Sequence, residues 1–138
     1  MELNDKSNIT LAAAIQLLSS CQDTYATQSV HGFYYSVLQF MKYILAHAKA
    51  NKIPYEKQMT DCGDNSHKYL YDNILMLLDF NQDDKRHFTE DFRNLKRARV
   101  EADYSTDKFT TIQALDFRTM AEGLRSLLKK VSKDKINI

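Results

Sequence analysis

The sequence predicts an all-α fold, a five-helix up-and-down bundle in a single domain over 1–138, and three observations carry that prediction. Helix breakers are scarce, with one proline (Pro54) and three glycines (Gly32, Gly63, Gly123), whereas sheet proteins need frequent turn residues. Apolar residues recur at spacings of three and four along most of the chain, which is the period of one helix face. No segment alternates apolar and polar residues convincingly enough to read as a strand. The resulting helices are joined by mostly short connections, which favours antiparallel neighbours.

Taken in order, Thr10–Gln22 reads as a first helix, with Leu11, Ile15 and Leu18 on one side and Ala12–Ala14 adding helix propensity. Ser7, Asn8 and Thr10 are candidate caps. Thr27–Ala50 is the strongest helix. Its Val30, Phe33, Tyr34, Val37, Met41, Ile44, Leu45 and Ala48 form one face, and Leu38 and Phe40 widen it, so this helix is expected to be central. Asn51–Asp64 holds Pro54 and Gly63 without a clean period and reads as a loop. Asp64, Asn65 or Ser66 can cap a third helix, with Leu70, Ile74, Leu77 and Leu78 inward, ending near Asn81. Asp83 and Asp84 suit the positive end of a fourth helix running to Ala102 or Tyr104. The fifth spans Thr110–Lys133, with Ala114, Phe117, Met120, Ala121, Leu124, Leu127, Leu128 and Val131 as its seam. Residues 1–9 and 134–138 are expected to be flexible ends.

Bulk composition narrows the function classes. The net charge of +1 gives no dominant attraction to nucleic acid or membrane, so such contact must come from a local patch. Two cysteines, Cys21 and Cys62, do not make a disulfide framework and read as reduced thiols. Met1–Lys6 lacks the basic-then-apolar pattern of a signal peptide, and no stretch approaches ~18 uninterrupted apolar residues. A cytoplasmic protein without a membrane span is expected. Asp61, Cys62 and His67 lack the further ligand pair that a structural zinc site needs, and no phosphate loop or nucleophile elbow occurs; neither metal nor cofactor is expected.

The chemistry concentrates near the end of the fourth helix. At about 100° per residue, Phe88, Phe92, Leu95, Arg99 and Ala102 fall on one apolar stripe, so Arg99 stands where a leucine is expected. A guanidinium against a core needs a partner, and Asp103, one turn on, is the nearest on its own helix. Arg99 and Asp103 can act as a structural lock or as the polar centre of a phosphate site. Arg86, Arg93 and Arg97, extended by Lys85 and Lys96, read as a solvated basic face or as a contact for RNA backbone.

Three landmarks resemble a known family. Tyr34-Tyr35-Ser36-Val37-Leu38-Gln39-Phe40 resembles the paired-tyrosine opening of the long central helix of HEPN domains. Ser66-His67-Lys68-Tyr69-Leu70 resembles the Ser/Thr-His element of their next helix, and Arg99-Val100-Glu101-Ala102-Asp103-Tyr104 their Arg-x-x-Ala-Asp-Tyr signature. Order and spacing match over about residues 28–130. The resemblance implies an HEPN-like bundle, frequently homodimeric, in RNA- or nucleotide-linked systems such as toxin–antitoxin or defence, with RNA, a nucleotide or a nucleotidyltransferase-like protein as partner. It implies a polar centre at Arg99 and Asp103, with Tyr104, His67 and Tyr35 as neighbours.

Many members of that family are metal-independent ribonucleases with an Arg-x(4–6)-His motif. Here the first arginine is Arg86 and the last histidine is His87, so the motif is absent. Tyr104 stands at the corresponding place, and a phenol with a pKa near ~10 is a poor base at neutral pH. The expectation is therefore a binding or regulatory module, with no catalytic residue assigned. Its rivals are a divergent metal-independent ribonuclease and a purely structural interaction bundle.

Overall fold

A computed structural model describes residues 2–20, 25–104 and 109–136. Among them are six helices and no strand: α1 (Leu3–Ser20), α2 (Ala26–Ala46), α3 (Tyr55–Asp61), α4 (Ser66–Leu77), α5 (Gln82–Tyr104) and α6 (Thr111–Ser132). The all-helical class agrees with the sequence reading; the count of five does not. The additional helix is α3, inside the segment read as a loop. It is under two turns long, too short to show a period, and Pro54 sits at its N-cap (φ −56°) and opens the helix where a break was read. Gln58 fixes α3 to α2: it is buried, and its Nε2 donates to the carbonyls of Lys42 (3.0 Å) and Ile53 (2.7 Å).

α2 is central, packing against each of the other five helices. Val30, Phe33, Tyr34, Val37, Met41 and Ile44 are all fully buried. The helix ends at Ala46, four residues before the expected Ala50, because tertiary bonds claim the backbone beyond it. The Lys49 N–H donates to the Lys135 carbonyl (2.8 Å) and the Ile53 N–H to that of Leu45 (2.8 Å). Ala48 forms an antiparallel bridge with Ile136. The chain end expected to be loose from residue 134 is thus held at least as far as Ile136.

Other boundaries follow local chemistry. Asn65 caps α4, its Oδ1 accepting from the Lys68 N–H (3.1 Å). α4 stops at Leu77, four residues short of Asn81, where Leu78 turns extended (ψ 138°). The Asn81 Oδ1 accepts from the Asp84 N–H (2.7 Å) at the start of α5. Thr110 and Gln113 close a reciprocal capping box on α6.

The largest discrepancy is α1, which begins at Leu3, not Thr10. Its first turns are polar, and their buried position is Ser7, not an apolar residue. The partner of that serine is Arg125, on the seam of α6 and only 7% exposed. The Arg125 Nε donates to Ser7 Oγ (3.1 Å), and its Nη2 donates to Asn8 Oδ1. Ser7 Oγ in turn donates to the Ser36 carbonyl of α2 (2.6 Å), and the guanidinium lies 5.3 Å from the Phe40 ring centroid. Three helices thus meet at one buried polar junction. Burial disfavours the charged guanidinium and lowers the Arg125 pKa from its ordinary value.

Two glycines in helix interiors have opposite surroundings. A Cβ on Gly32 would stand 2.6 Å from the Ala14 Cβ, at the close approach of α2 to α1; one on Gly123 of α6 would meet nothing within 4 Å. Gly32→Ala should therefore destabilise, overpacking of about 1–3 kcal/mol outweighing the helix-propensity gain. Gly123→Ala should stabilise by roughly 0.5–1 kcal/mol. Urea denaturation of both variants checks the opposite signs.

Candidate functional site

α2 presents His31, Tyr34 and Tyr35, three and four residues apart and so neighbours on the helix surface. α5 presents Phe92, Lys96, Arg99 and Asp103 at the same kind of spacing. The packing of α2 on α5 and α4 brings these rows to the first turn of α4, which carries His67.

A continuous chain of contacts joins them. The Arg99 Nη1 donates to Asp103 Oδ2 at 3.1 Å. The other oxygen, Oδ1, lies 2.7 Å from His31 Nε2. The Arg99 guanidinium carbon sits 5.4 Å from the Tyr34 ring centroid, a cation–π geometry. The Tyr34 hydroxyl lies 3.0 Å from His67 Nδ1. The Tyr35 ring meets Tyr34 edge-on at 5.6 Å and His67 at 6.3 Å.

Burial decides what each group can do. The Arg99 side chain is 16% exposed and that of Asp103 26%, so the ion pair lies at the edge of the core and not inside it. Arg99 Nε is buried without a hydrogen bond, and the guanidinium carbon lies over the Tyr34 ring; Nη2 has no hydrogen-bond partner among the described residues. Tyr34 is fully buried. Burial pushes its hydroxyl pKa well above the ordinary phenol value, with Arg99 partly opposing the shift. The phenol therefore keeps its proton at neutral pH. Its only hydrogen-bond acceptor among the described residues is His67 Nδ1, which leaves the His67 proton on Nε2. Burial first, then Arg99, Lys96 and Lys42, hold the His67 pKa below its ordinary value. At neutral pH His67 is an uncharged imidazole with its proton on Nε2.

His67 lines a groove of about 200 Å³ between α4 and α5, together with Lys68, Tyr71, Phe92, Arg93 and Lys96 among others. Lys68 is tied to Asp72 (2.6 Å); Arg93 and Lys96 have no ion-pair partner among the described residues.

The structure thus brings together Arg99, Asp103, His67 and Tyr35. Tyr104 is 82% exposed and stands apart. Of the basic face, Arg93 joins the groove, Arg86 lies 3.7 Å from Asp83, and Arg97 is exposed. His31 was missed as a site residue because its partner, Asp103, lies on another helix. Tyr34, expected in the core, is there; its hydroxyl nevertheless orients His67. No metal-capable cluster of three His, Cys, Asp or Glu side chains occurs among the described residues, and no helix is long and apolar enough to cross a membrane. No protein-family model, curated protein or solved structure matches the chain.

Proposed function

We propose that this protein is an HEPN-like helical binding or regulatory module, an up-and-down bundle acting as a homodimer in an RNA- or nucleotide-linked system such as toxin–antitoxin or defence. The observation that carries the reading is Arg99. It is anchored by Asp103 and lies over Tyr34, beside a neutral histidine, and among the described residues its Nη2 and the nearby cations Arg93 and Lys96 have no partner. A rigid fork of this kind suits a phosphate oxygen. Exposed Val100 and Tyr104 near the end of α5, with Ile112 and Leu115 near the start of α6, are apolar surface that a second copy can cover. A nucleotidyltransferase-like protein is the other partner the reading allows.

Binding is preferred to cutting because the imidazoles are engaged. His67 Nδ1 accepts a hydrogen bond from a phenol that does not ionise near neutrality, and His31 Nε2 is occupied by Asp103. One feature favours the second reading, a metal-independent ribonuclease: two histidines reach the Arg99 cluster through space although none follows Arg99 in sequence.

Fluorescence anisotropy of a labelled single-stranded RNA across a salt series tests the proposal. Affinity should fall steeply with salt, the logarithmic slope being roughly −0.7 per phosphate neutralised. Salt-independent binding, or none at low salt, contradicts it.

A further inference from the structure

We propose that the groove between α4 and α5 seats a single phosphorylated nucleoside unit, its phosphate held by Arg93 and Lys96 and its base against the aromatic floor. The inference rests on the reading of the protein as a binder of RNA or nucleotides, and it names which unit is held and where.

Charge supplies the first argument. Arg93 and Lys96 both line the groove, one helical turn apart, and neither has a carboxylate partner among the described residues. Lys68 lines the same groove, but its ammonium is committed to Asp72 at 2.6 Å. The lining carries more positive than negative side chains, and Arg93 and Lys96 belong to one helix, so they stay in register.

The second argument is the hydrogen-bond donor. The phenol of Tyr34 fixes His67 as a neutral Nε2–H donor, which an acceptor oxygen satisfies without a proton changing hands. The floor is the third. Tyr71 and Phe92 line the groove and stack on one another at 5.3 Å, and the Tyr71 hydroxyl donates to Thr89, another lining residue (3.0 Å). Aromatic side chains of this kind receive a planar ring, and base–aromatic contact is sequence-tolerant.

Size limits the occupant. A cavity of about 150 Å³ admits benzene, so a groove of about 200 Å³ takes one ring system with its substituent at the rim, not two stacked nucleotides. An anion attached to a flat, weakly polar body matches all four features.

The unit can come as a free mononucleotide or as one residue of an RNA strand, and titration calorimetry separates the sources. The probes are AMP, adenosine and a single-stranded RNA octamer, each titrated into the wild type, Arg93→Glu/Lys96→Glu, the milder Lys96→Gln, and Arg99→Ala. Circular dichroism melting confirms that the surface variants fold. AMP should bind the wild type at least tenfold more tightly than adenosine. The double reversal should lower AMP affinity at least tenfold, and Lys96→Gln several-fold. An octamer that competes with AMP and binds at least tenfold more tightly identifies a unit within a strand; equal affinities identify the free nucleotide. AMP binding that is absent, or that survives the double reversal, overturns the inference. If the octamer is then lost only in Arg99→Ala, the broader RNA-binding reading stands without the groove. If no variant, nor the wild type, binds the octamer or AMP, both fall.

Discussion

Replacing Arg125 by alanine is expected to lower the melting temperature by roughly 10 °C, corresponding to about 3 kcal/mol for a domain of this size. The guanidinium is the hub of the only junction among the described residues where polar groups of α1, α2 and α6 meet in the core. Removing it leaves Ser7 Oγ and Asn8 Oδ1 without their donor; exposed Asn8 can turn to water, but Ser7 is buried, and an unmet buried polar group costs about 1–3 kcal/mol. It also opens a void beside Phe40. Some of that loss is returned, because a buried cation carrying no salt bridge among the described residues is itself unfavourable. Arg125→Met separates the contributions. It keeps the stem against Phe40 and removes the charge, so it should cost less than half as much as alanine. In a double-mutant cycle, Ser7→Ala should be non-additive with Arg125→Ala. A melting temperature unchanged by Arg125→Ala contradicts the junction's role.

Arg99→Ala is expected to lower RNA affinity at least tenfold while costing only about 1–2 kcal/mol of stability. The modest stability loss follows from the position of the pair. Asp103 is partly solvated and keeps His31 at 2.7 Å, so the carboxylate is not stranded. A fully buried pair broken in this way costs about 3–5 kcal/mol. Arg99→Lys should retain part of the affinity, since a point charge reaches phosphate but cannot offer the planar fork. Melting curves and anisotropy on the same preparations read the two effects separately. A stability loss with unchanged RNA affinity would mean that Arg99 is a structural lock and nothing more.

What the sequence revealed depended on whether neighbours in space were also neighbours along a helix. α5 and α6 were legible nearly to the residue, because apolar stripes and start signals (Asp83 and Asp84, Thr110) are local. The Arg99 and Asp103 pair was visible as an i, i+4 spacing within one amphipathic helix. The first turns of α1 were not, since the stripe there is interrupted by a serine whose partner stands over a hundred residues away. For the same reason nothing in the sequence singled out Arg125. α3 was too short for periodicity. His31 and the Tyr34 hydroxyl enter the site only through helix packing, which no spacing rule encodes. The basic face was read along one helix; the groove that Arg93 lines with Lys96 and His67 exists only through the packing of α4 on its neighbours.

The most direct test of the central claim, that Arg99 holds RNA without cutting it, is a single gel. Mixed-sequence RNA is incubated in EDTA with the wild type and with folded Arg99→Ala, then half of each sample is run native and half denatured. The account predicts a shifted complex for the wild type, a lost or weakened one for the variant, and intact RNA in both. RNA cleaved by the wild type and spared by the variant would contradict it and make Arg99 catalytic.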